Sequence, residues 1–336
     1  MESEYTIVGG GVAGLSACMR LLEYGVTPLV IEAGKYPSHK VCGEFFSPKG
    51  VEILQNWGIV PIEIEDAYFH IENETLHYKF PSPFGSLSHL QVDPLLMNKS
   101  EKATFLTETR VTQISVNDMH VLELSSGEKV RTLNLILATG RTLNTIPRPP
   151  AYKGFKVHLR GNFNPRALEM YLFDEGYLGI SPVEGGNFNI AGLVKIELFH
   201  KWKTVGALVN HWKETNKALA KRLNVSPNWM EVFIPAFGRK KIPNRLHAYY
   251  IGDAAGSIPP ITGNGLSLGM QSGIMAANYA LHRDYQGFKK ASKALWSTPI
   301  FWGKVMHEIA MKPKIAKKLM QWGKHYLMHA LYYLTR

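Results

Sequence analysis

Apolar and polar residues change period several times along the chain, and each change marks an element. Tyr5-Thr6-Ile7-Val8 is an apolar run that stops at Gly9, helical spacing follows Gly11, and Leu29-Val30-Ile31 is a second apolar run closed by Glu32. That order predicts strand, glycine turn, helix and strand. A loop over residues 33 to 48 leads into a helix-like stretch from Pro48 to Trp57. Short alternating runs at 67–71 and 76–80, broken by Pro81 and Pro83, predict antiparallel strands. Asp93-Pro94 has the form of a helix start, Asp as cap and Pro at the first helical position.

Strands are expected at 110–116 and 120–124, and the apolar run Leu133 to Ala138, stopping at Thr139-Gly140, fits a buried parallel strand. A second alternating region from about 152 to 198 predicts four strands near 155–159, 169–173, 177–182 and 187–194. A helix is expected from Trp202 to Leu223, with Trp202, Val205, Leu208, Val209 and Trp212 on one packing stripe. Near the end, Ile315, Leu319, Trp322, Tyr326 and Ala330 share one helical face, with Ala316, Met320, Leu327, Leu331 and Leu334 beside it. Lys317, Lys318, Gln321 and Lys324 lie opposite.

The opening segment is chemically the most specific. In Gly9-x-Gly11-x-x-Gly14, the first glycine permits a tight turn, the second lets backbone approach a pyrophosphate, and the third lets helix pack on strand. The helix N-terminus then faces the phosphates. Glu32 sits where a carboxylate accepts hydrogen bonds from adenosine ribose hydroxyls and repels a 2'-phosphate, which favours FAD or NAD over NADP. Far downstream, Tyr249-Tyr250-Ile251 leads into Gly252-Asp253 and then the glycine-rich loop Pro259 to Gly265 opening another helix. An acid there holds a polyol hydroxyl, and the helix terminus stabilises negative charge on a reduced ring. This second element suits a ribityl chain and a redox ring, so FAD is favoured over NAD.

Composition adds limits. The 336 residues, 45% of them hydrophobic, are enough for two structural units. Two cysteines, Cys18 and Cys42, predict no disulfide framework and fit a reducing, cytoplasmic compartment. Glu2 and Glu4 precede the fingerprint, so no secretory leader is expected, and no apolar run is long enough to span a bilayer. The net charge of +11 is concentrated beyond residue 286, where nine lysines and one arginine face a single acid, Glu308. Nucleic-acid binding is therefore a poor reading of that charge. The basic amphipathic end predicts either a packed helix with a solvated lysine face, a cap on the substrate domain, or peripheral contact with the inner face of an anionic membrane. No metal-binding spacing stands out.

Together Gly9-x-Gly11-x-x-Gly14, Glu32, Thr139-Gly140 and Gly252-Asp253 resemble the FAD-dependent oxidoreductases of the p-hydroxybenzoate hydroxylase superfamily over roughly residues 1 to 290. Lys40-Val41-Cys42-Gly43-Glu44 is similar to the cysteine-glycine-glycine loop of the geranylgeranyl reductase-like group, and Gly43-Glu44-Phe45-Phe46-Ser47-Pro48 to the glycine-glutamate-serine loop of the flavin-dependent halogenases. No Trp-x-Trp-x-Ile-Pro sequence occurs, which weighs against a tryptophan-type halogenase. Ala138-Thr139-Gly140-Arg141 replaces the usual aspartate-glycine motif of the hydroxylases, and Gln91 stands where an arginine often precedes the next helix.

The resemblance implies an α/β fold. A Rossmann-like FAD-binding domain would comprise 1–66, 93–150 and 246–288, an antiparallel substrate domain 67–92 and 151–245, and a helical basic tail 289–336. FAD would be held by Gly9, Gly11, Ala13, Gly14, Glu32, Ala33, Lys40, Gly43, Gln91, Thr139, Gly140, Gly252, Asp253, Pro259, Gly263, Asn264 and Gly265. Cys42, beside the cation Lys40, and Glu44 are the candidate proton donors; the alternative for Cys42 is a buried small residue shaping the loop, and Glu44 would bond the flavin edge or the loop backbone or be an ordinary solvated carboxylate. Tyr68, His158 and Tyr177 are candidate substrate residues on the sheet roofing the flavin. With one nucleotide fingerprint, NAD(P)H would dock transiently, or a protein donor or carrier would bring electrons. The expected reaction is reduction or dehydrogenation of a carbon-carbon bond in a bulky apolar, isoprenoid-, lipid- or polyketide-like molecule. Aromatic hydroxylation by a monooxygenase, and a redox-silent flavin-binding partner in a biosynthetic complex, are the alternatives.

Overall fold

The computed structural model describes residues 1–140, 149–242, 246–322, 329–330 and 332–335. Arg141, Lys324, Tyr326, Leu327 and Leu331 of the expectations above lie outside them. Two large sheets organise these residues. In the first, strands run in the order Thr104–Leu106, Leu29–Ile31, Glu2–Val8, Lys129–Leu137, His120–Leu124 and Val111–Val116, and Tyr249–Tyr250 also pairs with Lys129–Leu137. The pairs around Glu2–Val8 are parallel, and the last two strands turn back antiparallel. Helices Val12–Glu23 and Gly265–Leu281 cover one face, where Ile7, Val30 and Ile136 meet Ala17, Leu21, Ala276 and Ala280. The other face packs Leu29, Ile31, Leu122, Leu135 and Leu137 against Ala254, Leu268, Trp296 and Ile300.

The second sheet has eight strands, in the order Met230–Pro235, Pro150–Arg160, Asn187–Lys195, Gly176–Val183, Ala167–Leu172, Ile62–Ile71, Glu74–Ser86 and Phe45–Phe46. Its pairs are antiparallel except Ala167–Leu172 with Ile62–Ile71. Strand alternation divides its faces. Tyr171, Leu178, Ile180, Phe188, Ile190 and Val194 pack under helix Val205–Thr215, where Trp212 stacks on Phe173 at 4.4 Å. Leu168, Met170, Tyr177, Gly179, Ala191 and Leu193 face a cavity on the other side.

Three local expectations need correction. The helix expected at Asp93 is His89–Lys99, with Ser88 as cap residue and Pro94 inside it, because the Asp93 carboxylate is buried and bonded elsewhere. The helix expected over 202–223 is two, Val205–Thr215 and Lys217–Arg222, since Asn216 leaves helical geometry and its side chain accepts from Leu219 N–H at 3.0 Å. The second sheet takes in Ile62 to Asp66 and Phe45–Phe46, residues whose sequence position placed them with the nucleotide unit.

Helices Val12–Glu23 and Gly265–Leu281 touch through bare backbone. A Cβ on Gly273 would lie 2.2 Å from the Ala13 carbonyl oxygen. Gly273→Ala should therefore force the helices apart and lower unfolding free energy by about 2 kcal/mol in urea titrations. Gly206→Ala, where an added methyl meets nothing within 4 Å, should leave stability unchanged or slightly raised.

Candidate functional site

The carboxyl ends of the parallel strands converge on one cavity of about 690 Å³ that continues under the second sheet. Open α/β sheets bind ligands at such ends. Gly9 follows strand Glu2–Val8 with φ +106°, and a Cβ on it would sit 2.3 Å from the Ala138 carbonyl oxygen. A Cβ on Gly14 would strike the Gly9 carbonyl at 1.9 Å. Gly11 is different: it lines the cavity, and its nearest neighbour is the Lys40 ammonium, 3.4 Å from where a Cβ would stand. This turn leaves backbone open to an anion at the start of helix Val12–Glu23. The Glu32 carboxylate accepts from Gly10 N–H at 2.5 Å and Gly34 N–H at 2.7 Å, which fixes it at the mouth of the turn.

The residues fit an adenine dinucleotide carrying a redox ring. Ala13, Gly43, Gly140, Gly252, Asp253, Gly263 and Gly265 line the same cavity. Asn189, almost wholly buried in its wall, donates to the Cys42 carbonyl at 3.0 Å and leaves Oδ1 without a partner among the described residues. That orphaned acceptor suits an N–H donor on a bound ring. Glu32, Ala33 and Thr139 stand at strand ends beside the cavity rather than in its lining.

Other expected contacts are placed differently. Pro260, not Pro259, faces the cavity. The Asn264 side chain is committed to scaffolding, accepting from Ser47 Oγ at 2.7 Å and donating to the Thr335 carbonyl at 2.6 Å. Gln91 is exposed on helix His89–Lys99, away from the lining. Tyr177 does line the cavity, whereas Tyr68 stacks on His77 at 4.9 Å outside the lining, and its neighbour Phe69 points in. The reason is the strand period of two, which puts Tyr68 and Phe69 on opposite faces.

The loop from Lys40 to Phe46 carries the polar chemistry. Glu44, 0% exposed with φ 55°, is held between the Lys156 ammonium at 2.5 Å and His158 Nε2 at 2.6 Å, and its carboxylate also accepts from His89 N–H at 2.8 Å. Burial alone would push its carboxyl up, but His158 and Lys156 together hold it below the usual carboxylate range. Lys156 is equally inaccessible and also donates to the Lys40 carbonyl at 3.1 Å. Glu44 is therefore neither solvated nor free for a ligand edge; it ties the loop to the second sheet.

Lys40 does not serve Cys42 as the sequence implied. Its ammonium is paired with Asp93 Oδ2 at 2.6 Å, and the same oxygen meets His89 Nδ1 at 3.1 Å. His89 is the partner of Cys42. Burial favours the neutral imidazole, but Asp93 and then Cys42 outweigh it and raise His89 to about 9. Burial likewise pushes the Cys42 thiol up, yet His89 and the Glu44 N–H, 3.4 Å from Sγ, leave it below its usual value. Asp93, His89 and Cys42 thus form one chain of interacting groups, the last two of them in the cavity wall. Sequence reasoning missed His89, Asp93 as a charge, Lys156 and Asn189. The available signal was a lysine and a histidine two apart on an otherwise apolar strand, Phe155-Lys156-Val157-His158-Leu159.

Residues 2–131 match the FAD binding domain family. With the glycine cradle and the strand-end acids in place, that match decides the cofactor. The chain carries an FAD-binding domain, and the protein is an FAD-dependent oxidoreductase. The oxidoreductase is 22% identical over 325 residues to the menaquinone reductase of Mycolicibacterium smegmatis, covering 82% of this chain and 76% of that one. Its fold resembles the flavin-dependent brominase Bmp2, with TM-score 0.82, 15% identity, and coverage of 100% of this chain and 93% of that one. It also resembles the geranylgeranyl bacteriochlorophyll reductase-like protein of Thermoplasma acidophilum, with TM-score 0.76, 20% identity, and coverage of 95% and 91%.

Two outcomes follow for the oxidoreductase. Glu44→Gln leaves Lys156 without a buried counter-charge and should cost about 3 kcal/mol of unfolding free energy at neutral pH. Because the Glu44 carboxyl is held low, its contribution is present above the ordinary carboxylate range and fades as pH falls through the lowered value. Wild type and variant should therefore converge in acid. Iodoacetamide should label Cys42 below pH 9, while Cys18, pushed up to about 12 by burial, stays unmodified in peptide mass spectra. His89→Asn should move the onset of Cys42 labelling to higher pH.

Proposed function

We propose that the protein reduces a carbon-carbon double bond in a polyprenyl-type lipid. The observation that carries the reading is the meeting of two surfaces in one cavity. Beside the dinucleotide cradle stands the Cys42-His89-Asp93 chain, and beyond it the wall turns apolar with Phe69, Phe80, Leu168, Met170, Leu193 and Phe237. Side chains of this kind bind an extended hydrocarbon and exclude water, and they offer little to fix a small polar aromatic. Two relatives support the same class: one is named for menaquinone and the other for geranylgeranyl, and both compounds contain a polyprenyl chain.

The chemistry that bound FAD supplies is two-electron redox, with hydride exchanged at a carbon centre. Saturating a double bond requires one hydride and one proton. In this reading Cys42 delivers the proton and His89 replenishes it, held to that task by Asp93. Glu44, Lys156 and His158 fix the loop on which Cys42 stands and keep its backbone from shifting as the proton moves. The apolar strands hold the chain so that one double bond rests at the boundary between the two surfaces. Electrons are restored by NAD(P)H docking transiently or by a protein donor.

The test is anaerobic turnover of dithionite-reduced holoprotein with geranylgeranyl and menaquinone lipids, read by mass spectrometry. Products heavier by two hydrogens are expected. Cys42→Ser and His89→Asn should slow turnover roughly 100-fold while FAD occupancy stays at the wild-type level. Incorporation of an atom of molecular oxygen in aerobic turnover would replace this reading with the monooxygenase one.

A further inference from the structure

Helix Pro313–Trp322 presents its faces the wrong way round for a packed tail helix. Its buried residues are Pro313 and Ala316, with Met320 packed beside them. Lys317, which sequence pattern places on the solvent side, instead pairs with Glu74 at 2.6 Å and Glu72 at 3.5 Å, and Gln321 donates to Glu74 at 2.9 Å. These bonds pin the helix to the turn after strand Ile62–Ile71. The apolar stripe at i, i+4 and i+7 consequently faces outward: Ile315 is 47% exposed, Leu319 half-buried and Trp322 90% exposed. Exposed lysines at 312, 314 and 318 flank it.

We propose that this outward face is seated on an anionic lipid bilayer, with Ile315, Leu319 and Trp322 in the headgroup boundary and Lys312, Lys314 and Lys318 on the lipid phosphates. An apolar stripe rimmed by lysines, carried by a helix that over its described residues is too short and too polar to span, is the arrangement of an interfacial helix. Tryptophan is the side chain best suited to that boundary. Charge complementarity selects the occupant: the chain beyond residue 286 carries nine lysines and one acid, and juxtamembrane lysines of this density are attracted by anionic leaflets. Among the described residues no helix is long and apolar enough to cross a membrane, so the contact is peripheral.

The seat also lies against the cavity wall. Ala316 and Met320 belong to the same apolar cluster as Met170, Tyr177, Leu193, Ile234 and Phe237, all of which line the cavity. A bilayer touching the outer face is thus separated from the apolar cavity by one helix. Binding to lipid stands independently of the reaction proposed above and is measured without turnover.

The experiment is flotation of FAD-loaded full-length protein with phosphatidylcholine vesicles, with and without a one-third fraction of phosphatidylglycerol. Wild type should float with the anionic vesicles and stay at the bottom with the neutral ones. Ile315→Asp/Trp322→Asp and Lys314→Glu/Lys318→Glu should each reduce the floated fraction about tenfold, since the first removes the inserted area and the second the attraction. All four positions are on the outward side, so FAD absorbance and thermal midpoint should not change. Trp322→Phe should retain flotation and lose the quenching of tryptophan emission by lipids brominated near the headgroup. Wild type that fails to float, or variants that float as wild type does, would overturn the proposal. Flotation lost with the lysine changes but kept by Ile315→Asp/Trp322→Asp would mean attraction to the vesicle without insertion of the stripe and would equally overturn it.

Discussion

The buried carboxylate of Glu44 is the centre of the bonds that join the two halves of this protein. Glu44 stands in the loop that leaves the nucleotide sheet, in a left-handed backbone conformation that a non-glycine residue adopts only when its surroundings insist. The insistence comes from Lys156 and His158 on the second sheet and from the N–H at the start of helix His89–Lys99. Three elements from distant parts of the sequence meet on two oxygens. Glu44 and Lys156 are both wholly buried, so removing either leaves the other without its counter-charge, and the pair fixes the position of the loop.

That constraint explains how Cys42 acquires its chemistry. The backbone turn that buries Glu44 brings its own N–H to the Cys42 sulfur, while the hydrogen bond from His89 N–H to Glu44 sets the helix whose first side chain partners the thiol. Position and proton affinity therefore have one origin. A solvated Glu44 would leave the loop free to move and would separate Cys42 from the group that lowers it. The same buried carboxylate thus acts on fold stability and on the site, which is why its effects belong to both.

The fold was legible where sequence period and local chemistry agree. The opening strand, turn, helix and strand, the apolar strand ending at Ala138, and the four strands of the second sheet occur as the pattern implied, because burial on one or both faces leaves a period that does not depend on distant partners. The cradle residues Gly9, Gly11 and Gly14 were legible for a similar reason: each is required by contacts within a few ångströms along a short segment. The chain of Asp93, His89 and Cys42 was not legible. Lys40 and Cys42 are two residues apart and read as partners, yet the ammonium is taken by Asp93, more than fifty positions away. Lys156 and His158 alternate with apolar residues as solvent-facing positions do, and only the arrival of the loop turns their face into an interior. Helical periodicity likewise identified the stripe of Ile315 and Trp322 but not its direction, which the pairing of Lys317 with Glu72 and Glu74 decides.

Lys40 connects these layers electrostatically. Its ammonium lies beside Gly11, where backbone opens toward an anion, and is bonded at the same time to Asp93, the carboxylate that holds His89 protonated. An anion in the glycine turn and Asp93 would then share one cation. Drawing Lys40 toward the turn leaves Asp93 less neutralised, and a less neutralised carboxylate strengthens its hold on the imidazolium beside it. An anion in the turn would act on the His89 proton only through Asp93, the group that Lys40 and His89 share. Asp93 is buried but the Lys40 side chain is 39% exposed, so solvent partly screens this shared ammonium, and what an anion in the turn would do to the His89 proton is limited by that exposure.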